Sequence, residues 1–440
     1  MNIRKLGLSV LAAAFIAVPA WEALDSAAQA MESVFIPQAS YRTGKYSVNG
    51  TPFANGFDDY LAMLNARDGG IEGVKIDTEE CEFGYVTDKG VECYERFKAK
   101  NPVAYTPLST GVTYKLVPKA PVDKIPVLSS GYGMSAAADG RWFPYVFNFP
   151  TSYWSQASAF VRYIGEQEGG LEKLKGKKIG LIFLESGYGR EPIPLLKKLS
   201  EKYGYEFQDF SVPGKEMEKQ QAQWRKIVQW KPDWMLMWGW GNMNRVAIRR
   251  ATEFGFPLNK FIGVWWSGAD SDTKPLGKLA KGYRAGNWHA PDACCQVHKD
   301  IIAHVYDKGK GHDKSMVGQV LYNRGVVTAM YITEAVRDAV KANGGKAVNG
   351  EQVRDAMEKL NIDADRLKGL GFDGFTSPIK VSCADHEGSG PVVIQEWNGE
   401  KWTVIKRDVK PLTDVVRPML EAAAVAEGEK LGYSKRSNCN

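Results

Sequence analysis

Beyond residue 30 the sequence has no apolar run long enough to cross a membrane, and it has no low-complexity tract or short-period repeat. It also lacks a predominant sign of charge, since 57 basic and 51 acidic residues leave a net charge of +6. A mixed surface of this kind does not form the basic stripe that nucleic acids require, so we expect no nucleic-acid partner. The hydrophobic fraction of 44% is typical of a globular protein.

Common catalytic motifs are missing as well: there is no Gly-x-Ser-x-Gly elbow, no Walker loop and no His-Glu-x-x-His pair. Gly239-Trp240-Gly241 resembles the start of a dinucleotide fingerprint, but Asn244 stands where the third glycine belongs. His289 and His298 flank Cys294-Cys295, yet adjacent cysteines do not have the spacing of zinc ligands. We therefore expect a protein that is not an enzyme and that holds no metal or cofactor.

The N-terminus has the pattern of an export signal. Two basic residues precede an apolar run from Leu6 to Ala20, which is too short to span a bilayer, and Ala28-Gln29-Ala30 is a small-x-small cleavage pattern. We predict a signal peptide over residues 1–30 and a mature chain that begins near Met31. Because no cysteine follows the cleavage site, we expect a soluble protein outside the cytoplasm without a lipid anchor.

Six cysteines in an exported protein are more often bridged than free. Cys81 and Cys93 lie on either side of a short Gly-containing stretch, and we predict a disulfide between them. The sequence gives no pairing for the other cysteines, which are Cys294, Cys295, Cys383 and Cys439.

Two blocks of alternating strands and helices follow the signal peptide. The first runs from a strand near Val34 to a strand at Ile125 to Leu128, and the second from a helix at Trp154 to a strand at Phe261 to Val264. Such alternation predicts two parallel sheets covered by helices, and the length of the chain also favours two lobes. Since ligands bind beyond the carboxyl ends of parallel strands, two such edges that face each other form a cleft.

The chain changes character after Trp288, where long helices replace the alternation. Asn398-Gly399, between apolar segments, predicts a hairpin that completes one of the two sheets. The predicted segments are a signal peptide (1–30), the first part of lobe 1 (31–152), lobe 2 (153–287), a helical return to lobe 1 (288–378), a hinge with the C-terminal hairpin (379–410) and a C-terminal tail (411–440).

Five short motifs stand out by their order and spacing. They are Pro107-Leu108-Ser109-Thr110, Ile125-Pro126-Val127-Leu128-Ser129-Ser130, Gly187-Tyr188-Gly189, the strand from Asp233 to Gly239, and Asp385-His386-Glu387-Gly388. Taken together, they resemble the leucine/isoleucine/valine-binding family of periplasmic binding proteins. The resemblance implies an α/β fold of two doubly wound parallel-sheet lobes joined by a three-crossing hinge, the type I periplasmic binding protein fold. It also implies a monomeric solute-binding protein in the periplasm, which closes around a small ligand and delivers it to an ABC permease in the inner membrane.

The same resemblance implies where the ligand's polar group is held. Hydroxyls and backbone amides of Ser109, Thr110 and the loop from Ser130 to Tyr132 would bind it, and Tyr188 would close over it from the second lobe. Amino-acid binders of the family carry an acidic residue where this chain reads Gly263-Val264-Trp265-Trp266. Because a buried ammonium without that partner is costly, we expect a carboxylate ligand without the amine.

Aromatic residues crowd the same loops, and stacked on a flat ligand they would supply a large contact area. They are Tyr41, Tyr132, Tyr153, Trp238, Trp240, Trp265 and Trp266. Some of them could instead belong to the core, since Trp238 ends a buried strand, and Arg42 could either pair with a carboxylate or lie solvated at the surface. The predicted ligand is therefore an aromatic carboxylate, with a branched-chain amino acid or amide as the alternative; a regulatory sensor of the same fold would lack the export signal. The predicted binding residues are Arg42, Ser109, Thr110, Ser130, Tyr132, Tyr153, Tyr188, Trp240 and Trp265.

Overall fold

The computed structural model describes residues 33–388 and 390–439, so the predicted signal peptide lies outside the described residues. The strands are β1 Ser33–Phe35, β2 Gln38–Ser40, β3 Lys75–Asp77, β4 Glu80–Glu82, β5 Val127–Leu128, β6 Val146–Phe147, β7 Lys178–Leu184, β8 Glu206–Val212, β9 Trp234–Trp238, β10 Phe261–Gly263, β11 Arg284–Asn287, β12 Asn361–Ile362, β13 Ile379–Lys380, β14 Val392–Trp397 and β15 Trp402–Val409.

Helices cover the sheets and connect most of the strands. They are α1 Ser47–Asp68, α2 Thr87–Lys98, α3 Thr110–Leu116, α4 Ala120–Asp123, α5 Tyr153–Glu168, α6 Gly187–Arg190, α7 Ile193–Tyr203, α8 Gln221–Trp230, α9 Asn242–Glu253, α10 Asp270–Thr273, α11 Gln296–His304, α12 Val320–Ala342, α13 Gly350–Met357, α14 Ala364–Gly369 and α15 Thr413–Lys430.

The first lobe is built on a parallel sheet of five positions. β1 and β2 lie in line in one position, and β3 and β4 lie in line beside them. Residues 103–106 lie on the other side of β2, where Thr106 bridges to Gln38. Tyr105 bridges in turn to Val127 of β5, and β6 lies beside β5. The resulting order, 2-1-3-4-5 along the chain, is that of a doubly wound α/β sheet.

The second lobe repeats this order in one seven-stranded sheet. β8, β7, β9, β10 and β11 are parallel neighbours, and β14 and β15 are added antiparallel beside β11. The added pair is the hairpin predicted at Asn398-Gly399, where Asn398 N donates to Lys401 O. The two doubly wound sheets predicted from the alternation are thus confirmed.

The chain passes between the lobes three times, as predicted for the hinge: at residues 148–152, between β11 and α11, and between β13 and β14. The first and third crossings are joined to each other. Asn148 N donates to His386 O at 3.0 Å, and Gly390 N donates to Pro150 O at 2.8 Å. These bonds keep the crossings adjacent, so that a rotation of one lobe against the other must bend them together.

Helix α12 returns to the first lobe and packs against α1 at very short distance. A Cβ on Gly56 would lie 2.0 Å from Tyr322 O, and a Cβ on Gly325 would lie 2.1 Å from Phe53 O. Only glycine allows this approach of two backbones. The contact fixes the position of α12, whose first turns lie next to the cleft.

Three disulfides are present among the described residues. Cys81 in β4 is bonded to Cys93 in α2, which confirms the predicted pair. For the four cysteines that the sequence left unpaired, the structure shows Cys294 bonded to its neighbour Cys295 and Cys383 bonded to Cys439.

The predicted C-terminal tail contains helix α15, which contacts both lobes. Asp414 at its start forms an ion pair with Lys202 of the second lobe at 2.5 Å, and beyond its end Arg436 pairs with Glu358, on the first-lobe side. The segment therefore lies across the hinge. Across the part of the chain that the structure describes, no helix is both long and apolar enough to span a bilayer.

Candidate functional site

A cavity lies where the carboxyl ends of the strands in the two sheets face each other. Its empty volume is about 260 Å³. Every lining residue follows a strand or begins the helix after the first crossing, as expected for an α/β protein of this topology. The lining residues are Tyr41, Tyr85, Leu108, Ser109, Thr110, Tyr132, Tyr153, Tyr188, Trp240 and Trp266.

On the first-lobe side, Tyr132 joins the loops that carry the polar residues. Its hydroxyl accepts a hydrogen bond from Leu108 N at 2.7 Å, which fixes the loop that also presents Ser109. Thr110 Oγ1 accepts a hydrogen bond from Gly133 N at 3.3 Å. The hydroxyls of Ser109 and Thr110 are therefore held at the cavity by the loop after β5.

On the second-lobe side, the loops after β7, β9 and β10 form an aromatic wall. The Tyr188 hydroxyl donates to Gly239 O at 2.8 Å, and Trp240 follows directly. The rings of Trp240 and Trp266 pack edge to face with centroids 5.5 Å apart. The ring centroids of Tyr153 and Tyr188 also lie 5.5 Å apart. Each ring is held by another, so the wall is preorganised.

Gly131 joins the aromatic wall to the first lobe. Its carbonyl oxygen accepts from Trp265 Nε1 at 2.8 Å and from Trp266 Nε1 at 3.3 Å. Gly131 has φ +69°, and a Cβ there would lie 2.7 Å from the Trp265 ring. A larger residue would be strained and would collide with Trp265, so only glycine suits this position.

The structure brings six of the nine predicted binding residues together at the cavity. They are Ser109, Thr110, Tyr132, Tyr153, Tyr188 and Trp240. The other three do not line it. Ser130 is fully buried with no hydrogen-bond partner for its Oγ, and Trp265 is fully buried against Trp288, with ring centroids 4.5 Å apart.

Arg42 lies outside the lining because other groups of the first lobe occupy its guanidinium. Nε and Nη2 donate to the two carboxylate oxygens of Glu80 at 2.6 and 2.9 Å, and Nη1 donates to Asn55 at 2.6 Å. Asp58 lies 3.6 Å away. With these acceptors in place, no free pair of N–H groups is left for a ligand carboxylate.

Two lining residues, Tyr85 and Leu108, were not predicted from the sequence. Both have positive φ angles, 61° and 46°. Such angles are uncommon for bulky residues and concentrate at binding sites. The available signal for Tyr85 was its place after β4, which matches the place of Tyr41 after β2.

No lining residue carries a formal charge, so the cavity offers neutral hydrogen-bonding groups and aromatic faces. Burial raises the pKa of Tyr41, Tyr153 and Tyr188 well above the usual value, so their hydroxyls stay protonated. The Nε1 of Trp240 is buried, lies near the Tyr41 hydroxyl, and makes no hydrogen bond of normal geometry. Because Tyr188 already donates its hydrogen to Gly239 O, the groups that can donate to a ligand acceptor are the hydroxyls of Tyr41 and Tyr153 and the N–H of Trp240.

Glu191 connects the lobes beside the cavity. This second-lobe carboxylate accepts from two first-lobe groups, the Tyr114 hydroxyl at 2.7 Å and Ser135, whose Oγ lies at 2.9 Å and N at 3.2 Å. Burial raises the pKa of Glu191. We call these three residues the interlobe latch, because they can bond only when the lobes are close together.

The residues that were considered for metal binding make other contacts. Cys294 and Cys295 are bonded to each other. His289 Nδ1 lies 2.8 Å from Ala290 O, and His298 Nε2 lies 2.9 Å from Asn323 Oδ1. Within the described ranges, no group of three or more His, Cys, Asp or Glu side chains is arranged to hold a metal ion.

The comparisons with known proteins agree with this geometry. A family model described as periplasmic binding protein matches residues 33–401. A solved structure described as an ABC transporter permease from the Pseudomonas fluorescens group is 39% identical, covers 93% of this chain and 100% of its own, and has a TM-score of 0.86. No curated protein matches the chain.

Two more distant structures share the fold. A branched-chain amino acid ABC transporter protein from Thermus thermophilus with bound valine is 20% identical, over 88% of this chain and 99% of its own, with a TM-score of 0.73. A solute-binding protein of an ABC transporter from R. palustris in complex with benzoate is 16% identical, over 86% and 97%, with a TM-score of 0.66. At these identities the likeness concerns the fold alone.

Proposed function

Because this chain belongs to the periplasmic binding protein family, whose members are solute-binding components of ABC transporters and not enzymes, we propose that its cavity binds a small aromatic carboxylate. The single observation that carries the proposal is the composition of the lining: five tyrosines and two tryptophans, and no acidic side chain. An amino-acid ammonium would be buried there without a carboxylate partner, which is costly.

The aromatic faces and the hydrogen-bond donors of the cavity favour the same ligand class. The rings of Trp240 and Trp266 can contact a flat ligand, and the hydroxyls of Ser109 and Thr110 can donate to its carboxylate. The R. palustris structure with benzoate supports the idea that this fold accommodates such a ligand.

Closure of the two lobes is the proposed mechanism. The lining comes from both lobes, so a ligand that contacts both sides shifts the population towards the closed form. We propose that the closed protein, a monomer in the periplasm, docks on a permease of the inner membrane.

The test is a binding comparison on the purified protein. Benzoate and 4-hydroxybenzoate are expected to raise the melting temperature and to bind in calorimetry, whereas leucine and valine are expected to bind much more weakly. Small-angle scattering should also give a smaller radius of gyration with saturating benzoate. Tight binding of leucine or valine without binding of benzoate would assign the chain to the amino-acid binders, and an unchanged radius would exclude closure.

The interlobe latch should contribute to affinity without touching the ligand. Replacing Glu191 with Ala is expected to weaken benzoate binding about tenfold, since the closed form alone loses the hydrogen bonds of Tyr114 and Ser135 to this buried carboxyl group. Arg190→Ala is the matched control, because its exposed side chain pairs, within the described residues, with Glu185 of the same lobe. Calorimetry on both variants decides: equal affinities for Glu191→Ala and wild type would mean that the latch does not stabilise the closed form.

A further inference from the structure

One arginine is buried directly behind the aromatic wall of the cavity. Arg324 lies near the start of α12 and is 0% exposed. Its guanidinium carbon lies 4.1 Å from the ring centroid of Trp288 and 4.8 Å from that of Trp266. Trp266 lines the cavity and Arg324 does not, so the guanidinium contacts a ring that the ligand would also contact.

The positive charge of Arg324 has no close counter-ion. Nη1 donates to Trp265 O and Nη2 donates to Asn287 Oδ1 at 3.0 Å, while Nε has no hydrogen-bond partner. Among the described residues, no carboxylate oxygen lies within 4.0 Å of the guanidinium. Its acceptors are thus a carbonyl and an amide, which do not neutralise it.

Two acid–base properties preserve this imbalance near neutral pH. Burial lowers the pKa of Arg324 to about 9, which leaves the guanidinium protonated at pH 7. Asp272 is the acidic group that acts on it at longer range, and burial raises the pKa of Asp272 to about 7. Below that pH the carboxyl is mostly neutral and offsets little of the charge.

A buried charge without a partner is unfavourable, and an anion in the cavity would relieve it. The cation also polarises the two rings on which it is stacked, so the Trp266 ring does not insulate the ligand from it. A ligand charge on the far side of that ring would lie about 9 Å from the guanidinium, given ordinary contact distances. At an effective dielectric constant near 20, the attraction corresponds to about 20-fold in affinity.

We infer that Arg324 is the residue that makes the cavity selective for an anion: from behind Trp266, its uncompensated guanidinium favours a negatively charged ligand over a neutral one of the same shape. The inference rests on the proposed function, because it concerns the charge of the ligand in the same cavity.

The test compares benzoate with benzamide, a neutral isostere, by calorimetry at about pH 6. Wild type is expected to prefer benzoate by about 20-fold. Arg324→Met should remove most of that preference and leave benzamide affinity unchanged, whereas Arg324→Lys should retain it. A role in folding alone would weaken both ligands equally, so the ratio of the two affinities separates the explanations.

A second variant covers the case in which Arg324→Met does not fold. Asn287→Asp keeps the shape of the side chain and places a carboxylate 3.0 Å from Nη2, so it neutralises the guanidinium in place. It should also remove the preference for benzoate. An unchanged preference in either folded variant overturns the inference alone. Wild type that binds neither compound overturns the proposed function, and the inference with it.

Discussion

Trp266→Ala is expected to weaken the binding of benzoate by at least ~30-fold, because it removes the ring that lines the cavity between Trp240, Tyr132 and Arg324. The ring centroid of Trp266 lies 5.5 Å from that of Trp240 and 5.6 Å from that of Tyr132, so its removal opens a gap in a packed wall. Buried aromatic anchors typically cost about 2 kcal/mol or more when truncated. That free energy corresponds to the predicted loss in affinity.

Two further variants sharpen this experiment. Trp266→Phe keeps an aromatic face at the cavity and should retain most of the affinity. Trp230→Ala is the control. Trp230 is the last residue of α8, packs on Phe210 and does not line the cavity. Calorimetry on the folded variants gives the answer. If Trp266→Ala binds benzoate as tightly as wild type while Trp265→Ala loses most of its affinity, then Trp265, and not Trp266, contacts the ligand.

The sequence alone could not show which of these two tryptophans lines the cavity. Strand ends could be located from apolar runs, and aromatic residues on the loops that follow them, such as Trp240, could be assigned to the cavity, whereas Tyr188 and the loop that ends at Tyr132 were assigned through the family resemblance. Trp265–Ser267, however, forms a 3-10 turn beyond β10. The alternation of side chains along a strand does not apply in such a turn, so the sequence could not tell which ring faces inward.

Whether an arginine lies near the cavity depends on contacts between segments that are distant in the sequence. Arg42 follows β2 as a ligand-binding residue would, but Glu80 in β4 and Asn55 in α1 take its N–H groups. Helix α12 begins at Val320, directly after a 3-10 turn and Gly318, which has φ +90°. Arg324 in this apolar helix was a readable sign of a buried charge, yet only the folded chain places it behind Trp266.

A second buried ionisable group lies behind the same wall. Asn244 Nδ2 lies 3.3 Å from both Trp266 O and the carboxyl oxygens of Asp272, and Ala269 N donates to Asp272 at 2.9 Å. Asp272 is 1% exposed, and burial raises its pKa from an ordinary value near 3.8 to about 7. These hydrogen bonds lower the pKa again, but burial outweighs them.

The free energy of unfolding should therefore fall as the pH rises from about 3.8 to about 7 and level off above that range. Below pH 3.8 the carboxyl is protonated in both the folded and the unfolded chain; above it the unfolded chain loses the proton first, and the folded state must bury a charge once its own pKa is passed. Asp272→Asn removes that charge, so we expect it to be more stable than wild type by on the order of 4 kcal/mol at about pH 8, and by less than about 1 kcal/mol at about pH 4. Urea unfolding of both proteins at the two pH values measures this difference.

Asp68→Asn is the control and should lower the free energy of unfolding at neutral pH, because Arg67 lowers the pKa of Asp68 and the folded state there favours the charged form. A stability difference for Asp272→Asn that does not grow with pH would mean that Asp272 is ionised in the folded protein at little cost, and that the space behind Trp266 is more polar than its burial implies.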